Sequence, residues 1–176
     1  MNFSKVAIMH CLSKPECELS CSSWVWWRLT RGLRQRGQEY TRESGAFLLG
    51  HRRKGHAQII DFVLYDDLDP NCLNTGIVRF DGRYFGRLWE ICKRRRLTVV
   101  ADVHTHPGES DQSNSDRNHP MISRAGHFAL IIPRFAATPV RRSEIGMYRY
   151  QGAKRWAAVP KNARRSSLHI GLWGKS

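Results

Sequence analysis

Two histidines and a carboxylate define the chemistry open to this chain. His104 and His106 stand two apart in Ala101-Asp-Val-His-Thr-His-Pro-Gly108, at the end of an apolar run. On an extended strand, residues i and i+2 face the same side, so both imidazoles can reach one ion. Pro107 and Gly108 then turn the chain. Nine residues separate His106 from Asp116, enough for the loop to fold back and offer a carboxylate. Two His and one carboxylate leave one tetrahedral position to water, the pattern of a catalytic zinc rather than a structural one. Such a zinc lowers the pKa of its water to about 7. The water then needs a proton acceptor outside the ligand set. Glu43, ahead of the small residues Ser44, Gly45 and Ala46, is the candidate base that would pass the proton to a leaving amine. Ser113, three before Asp116, can donate to a developing oxyanion. Asp116 also suits a helix N-cap in a polar loop, and Asp111 is the fallback third ligand. Asp102 shares the histidine face. It either orients a ligand histidine or joins a buried structural network. His51, His119 and His127 lack ligand spacing and read as structural or exposed.

These residues need elements to position them. Trp24 to Arg36 reads as a basic amphipathic helix, with Trp26, Leu29 and Leu33 on one face and Gly37 ending it. Glu43 to Gly50 reads as a buried strand, 51–55 as a polar turn, and Ala57 to Leu64 as the returning strand of a hairpin. Asp66 to Asn74 reads as a loop and Ile77 to Phe80 as a short strand. Asp81 to Arg95 is the clearest helix: Phe85, Leu88, Trp89 and Cys92 recur at helical spacing, behind Asp81 as N-cap. Leu97 to Val103 reads as a strand buried on both faces, and 107–119 as a polar loop. Further strands are expected over His127 to Ile132, Ile145 to Tyr150 and Trp156 to Val159. Strands and two helices without regular β-α alternation indicate an α+β fold with a mixed sheet.

Composition narrows the setting. The chain has 176 residues, 29 Lys or Arg against 15 Asp or Glu, a formal charge of +14 and 41% hydrophobic residues, so it can bury a core. The length fits one domain. The expected organisation is an irregular segment over 1–21, the domain over 22–160 and a basic tail over 161–176. No apolar run approaches the roughly 18 to 20 residues of a membrane span. Met1 to Met9 lacks the apolar stretch of a secretory signal. Five Cys are too sparse for a disulfide framework. A soluble, reduced, cytoplasmic domain is expected, with no membrane partner.

Glu43 in its Glu-x-Gly-x-Phe-Leu-Leu-Gly strand, His104-Thr-His106-Pro and Ser113-x-x-Asp116 together resemble the JAMM motif of the JAB/MPN metallopeptidases. The order of elements over about 22–160 is also similar to that fold, with a mixed sheet flanked by helices in cytidine-deaminase-like layering. The resemblance implies one Zn2+ per chain held by His104, His106 and Asp116, with Glu43 and Ser113 catalytic. The loop from His106 to Asp116 is one residue shorter than is usual in the family, which is why Asp111 stays open as an alternative. The implied activity is zinc-dependent cleavage of peptide or isopeptide bonds after the C-terminus of a ubiquitin-like protein, or its removal from conjugates. Val99 to Gly108 and Gly126 to Pro133 are similar to the compact prokaryotic branch. Its members are often encoded beside activating-like and conjugating-like enzymes, in operons that include antiphage systems. Two other implied readings are a nucleic-acid-associated JAB-fold binding protein and a peptidase that processes a sulfur carrier.

Two features lie outside the motif. His10 with Cys11, Cys17 and Cys21 lacks the usual zinc spacing. Basic clusters at 28–36, 52–54, 93–96, 141–142 and 164–165 read as a docking face for an acidic partner, such as the substrate or a conjugation-pathway enzyme. Nucleic acid is the lesser alternative.

Overall fold

A computed structural model describes residues 17–37, 41–53, 55–137 and 139–171. His10 and Cys11 lie outside the described residues. Among the described residues, Cys21, Cys72 and Cys92 are free thiols. No helix among them is long and apolar enough to cross a membrane.

The elements are β1 (Leu19–Ser22), α1 (Ser23–Arg36), β2 (Gly45–Arg53), β3 (His56–Leu64), α2 (Tyr65–Leu68), α3 (Phe85–Arg95), β4 (Thr98–Thr105), α4 (Asn114–Asn118), β5 (Phe128–Ile132), β6 (Gly146–Gly152), β7 (Arg155–Ala158), α5 (Lys161–Ser167) and β8 (Leu168–Gly171). Among the described residues the strands form one sheet in the order β7-β6-β5-β4-β2-β3-β1-β8. Its β4–β5, β1–β3 and β1–β8 pairs are parallel and the others antiparallel. The mixed α+β sheet expected from sequence is present.

A helix covers each face of the sheet. On one side α1 buries Val25, Leu29 and Leu33 against Leu48, Val103 and Leu130. The i, i+4, i+8 spacing of these three residues keeps them on one stripe, and each contributes about 1.5–3 kcal/mol of burial. Ser22 caps α1 by accepting from Val25 N, and Gly37 ends it. Trp26 packs only partly against this core, while Trp24 and Trp27 are exposed and stack on each other at 5.1 Å. On the other side α3 buries Leu88 and Cys92 against Phe47, Leu49 and Tyr65.

Several expectations need correction. Residues 77–80 form no strand; their backbone is used by the site described below. The helix expected over Asp81 to Arg95 is a 3-10 turn at Gly82–Tyr84, capped by Asp81, followed by α3 from Phe85. Its stripe is narrower than the pattern suggests, because Trp89 stays 48% exposed. Strand β2 runs through the expected turn as far as Arg53, and α2 interrupts the expected loop after β3. The sheet also extends past both expected domain limits. Leu19 and Cys21 in β1 are fully buried and pair with β3 and β8, and α5 and β8 occupy the expected tail. A hydrophobic pattern of only four residues per strand is too short to be read as a strand without its neighbours.

Candidate metal centre

Strand β4 presents His104 near its end, and His106 follows just beyond it. The backbone of His106 continues the pairing to β5 by donating to Ile132 O at 3.0 Å. Its carbonyl accepts from Phe135 N at 2.8 Å, and Gly108 O accepts from Arg134 N at 3.1 Å. Those donors sit in a left-handed turn: Arg134, Phe135 and Ala136 have φ of 54°, 50° and 57°. Three consecutive non-glycine residues in that region are strained. Arg34 on α1 helps hold the turn, donating to Ala136 O at 3.0 Å. The strained turn thus fixes the backbone of the His-Pro-Gly corner.

The loop after the corner is fastened to β6. Tyr148 OH donates to Ser110 O at 3.0 Å and lies 3.4 Å from Asp111 Oδ1. Gly146 has no Cβ, and one there would collide with Ser110 O. This anchoring turns Asp111 towards Tyr148. Asp116 is brought instead to the histidines by α4, which Ser113 caps: Ser113 Oγ accepts from Asp116 N at 3.2 Å, and Ser113 N donates to Asp116 Oδ2 at 2.7 Å. The N-cap is therefore Ser113 and not Asp116, which stands at the third helical position, completes the capping box and approaches the histidines. The short loop closes because one turn of helix supplies the reach.

The two Nε2 atoms of His104 and His106 are 3.0 Å apart. Asp116 Oδ1 is 3.3 Å from His104 Nε2, and its Oδ2 is 3.3 Å from His106 Nε2. A tetrahedral zinc with ligand bonds of about 2.0–2.1 Å needs its donor atoms roughly 3.3 Å from one another. Two imidazoles and one carboxylate at these separations fit that ion. They are the one such cluster among the described residues. The histidines are buried and Asp116 is partly so. Burial pushes His104 towards its neutral form, but the hydrogen bond and charge of Asp116 prevail and hold its pKa above the ordinary value. Burial also opposes ionisation of Asp116, yet its hydrogen bonds with His104 and His106 hold the carboxyl far below the usual carboxylate range.

Glu43 precedes β2 and reaches the site beside His106. Its Oε1 is 3.9 Å from His106 Nε2, while Oε2 accepts from Val78 N at 3.3 Å. Glu43 N donates to Gly76 O at 2.9 Å. The expected strand at 77–80 is thus a backbone support for Glu43. Gly45, two residues on, sits opposite His104 in the sheet. A Cβ there would meet the Tyr65 ring and Val103 O.

Asp102 does not orient a ligand histidine. Its Oδ1 pairs with His127 Nε2 at 2.6 Å and its Oδ2 accepts from Tyr65 OH at 3.4 Å, all three residues being buried. This is the structural network, and His127 belongs to it. His104 Nδ1 is buried without a hydrogen-bond partner among the described residues, so packing orients that ring. His119 lies at the cleft and is exposed, as is His51.

The centre opens into a cleft of about 480 Å³ whose walls include Val78, Phe80, Phe85, Met121 and Trp156. Trp156 carries no motif signal. From β7 its indole N–H donates to Arg117 O at 3.2 Å, next to Asp116, and its ring meets Tyr150 at 4.8 Å. Only the pairing of β7 with β6 brings it there. The left-handed turn at 134–136 was equally unsigned, since no glycine marks it.

A mixed sheet between two helices, with two histidines and an aspartate at a strand end and a glutamate beside them, defines a JAB-type metal centre. The family model for prokaryotic homologs of the JAB domain matches residues 29–144, and the chain belongs to that family. It is 31% identical over 128 residues to a probable metalloprotease, y4jG, of Sinorhizobium fredii (strain NBRC 101917 / NGR234), covering 73% of this chain and 78% of that protein. The solution structure of protein DSY2949 from Desulfitobacterium hafniense has a similar fold, with a TM-score of 0.59 at 12% identity over 86% of this chain and 92% of that one.

Proposed function

We propose that this chain is a JAMM-type metallopeptidase that uses one zinc, held by His104, His106 and Asp116, to hydrolyse peptide or isopeptide bonds. Its substrate is the C-terminus of a ubiquitin-like protein, as a precursor or in conjugates. The observation that carries the reading is Glu43, a carboxylate 3.9 Å from His106 yet outside the three-residue donor cluster. A structural metal site has no use for such a neighbour, whereas hydrolysis needs one.

When bound, zinc supplies a Lewis acid and an acidified water at neutral pH. Glu43 takes the proton of the attacking water at Oε1 and delivers it to the leaving amine. The Val78 N–H on Oε2 keeps the other oxygen turned to the cleft. Ser113 uses its oxygen lone pair and its backbone N–H in the capping box. Its hydroxyl hydrogen is left to donate to the oxyanion. The apolar walls of the cleft suit an extended chain end without bulky charged groups. The unpaired part of the basic surface serves docking of an acidic partner, the substrate or a conjugation-pathway enzyme. A conjugation operon, antiphage ones included, is the setting that this reading implies.

The test is incubation with ubiquitin-like proteins and their fusions from the same cell, with and without chelator, read by intact mass. A new mass ending at the ubiquitin-like C-terminus, abolished by chelator, is the expected result. Intact substrates throughout, with zinc bound at one per chain, would overturn the reading.

A further inference from the structure

A second cavity of about 330 Å³ lies on the same sheet face, towards the C-terminal end of α3. Its floor and sides are apolar, from Val99, Ile122 and the Trp89 indole, which also stacks on Phe85 at 5.6 Å. Two guanidinium groups, Arg52 and Arg124, stand at its rim. Neither has an ion-pair partner among the described residues, although the protein pairs Arg28, Arg36, Arg83, Arg95, Arg134 and Arg149 with acids. Arg52 is held in place by donating to Val100 O at 2.8 Å. Burial, and then the charge of Arg124, lower its pKa, so two cations face one cavity without a counter-charge. Like charges placed together are destabilising unless an anion sits between them.

The cavity also adjoins the metal centre. His127 lines it, Asp102 lines the catalytic cleft, and the two are joined at 2.6 Å. The consecutive residues Met121 and Ile122 face the two spaces in turn.

We propose that this cavity is a second binding site, for a phosphate or carboxylate group carried on a flat apolar body. The anion lies between Arg52 and Arg124, where planar guanidinium groups can offer paired N–H donors. The apolar body lies on Trp89 and Ile122. The volume suits a single ring with its anionic group and not a folded domain. Such a group comes either from a free small ligand or from an acidic side chain of the bound polypeptide, reaching past the Asp102–His127 wall.

Phenyl phosphate is the probe, with inorganic phosphate and phenol as partial probes at constant ionic strength, followed by calorimetry and amide NMR. Saturable binding tighter than that of either partial probe is expected. Arg124→Glu should weaken it by about tenfold or more. Arg124 is exposed and its side chain makes no hydrogen bond or ion pair among the described residues, while its carbonyl, which accepts from His127 N, is untouched by the substitution, so that variant keeps the fold. Trp89→Ala should weaken it as well, and His104→Ala should leave it unchanged. Phenyl phosphate binding no tighter than inorganic phosphate, indifference to Arg124→Glu, or loss in His104→Ala would each overturn the proposal. The titration needs no turnover, so it stands apart from the peptidase reading. With binding established, a cleavage assay identifies the source. A raised KM at constant kcat in Arg124→Glu assigns the anion to the polypeptide, and an unchanged KM assigns it to a free ligand.

Discussion

The carboxylate of Glu43 stands 3.9 Å from the Nε2 of His106, and the peptide N–H of Val78 holds its far oxygen at 3.3 Å. This places an acid beside the metal donors without making it one of them. The proposed metal binding and the proposed proton transfer are therefore separable by mutation.

Glu43→Gln is the cleanest separation. The amide keeps the size of the side chain but cannot take a proton. Zinc content measured by elemental analysis should stay at about one per chain, while kcat falls by about 10²–10⁴-fold. Loss of zinc together with activity would place Glu43 among the ligands instead.

The metal-free site has a defined pH response. His104 has its pKa raised above 6.5, so its contribution to stability is present below that value and is lost as pH rises through the raised one. Asp116 has its pKa lowered from 3.8, so its contribution is present above that value and is lost as pH falls through the lowered one. Chelated protein in urea should gain most from this pair between about pH 4 and 6.5. Asp116→Asn should bring the His104 titration, followed by NMR, down in pH. An unmoved titration would mean that the contact does not persist in solution.

Trp156 positions Asp116 through α4. In Trp156→Phe the ring contact with Tyr150 is kept and the N–H to Arg117 O is lost. Zinc affinity in a chelator competition should fall by about tenfold, as for other groups that support a ligand from behind. The melting temperature of the chelated protein should barely change. An equal loss in both would mark a general packing role.

Asp102 supports the fold beneath the site. Asp102→Ala leaves His127 and the Tyr65 hydroxyl buried without their shared partner. Unfolding by denaturant should show a loss of about 3 kcal/mol, with three zinc donors still in place. Gly45→Ala should destabilise through a different route, because its Cβ would lie 2.8 Å from Val103 O. About 1–3 kcal/mol is expected from that overpacking.

Short-range rules made much of this protein legible. The His-x-His pair could be read because a strand has a two-residue period, and Asp116 because a loop of nine residues reaches back. Helix α1 could be read from its apolar stripe, and the mixed sheet from strands that do not alternate with helices. The same rules were silent wherever a residue's partner is distant in sequence. Whether Asp111 or Asp116 turned to the histidines was decided by Tyr148 and Gly146 on β6, which anchor the loop. Whether Asp102 served a ligand or a network was decided by His127, placed beside it by the parallel pairing of β4 and β5. The strands β1 and β8 are four residues each and become visible only through the pairing of β1 with both β3 and β8. Residue types and their spacing determined which chemistry the chain can perform. The tertiary structure decided which carboxylate meets the two histidines, because close packing brings one side chain into hydrogen-bond range and turns its neighbour away.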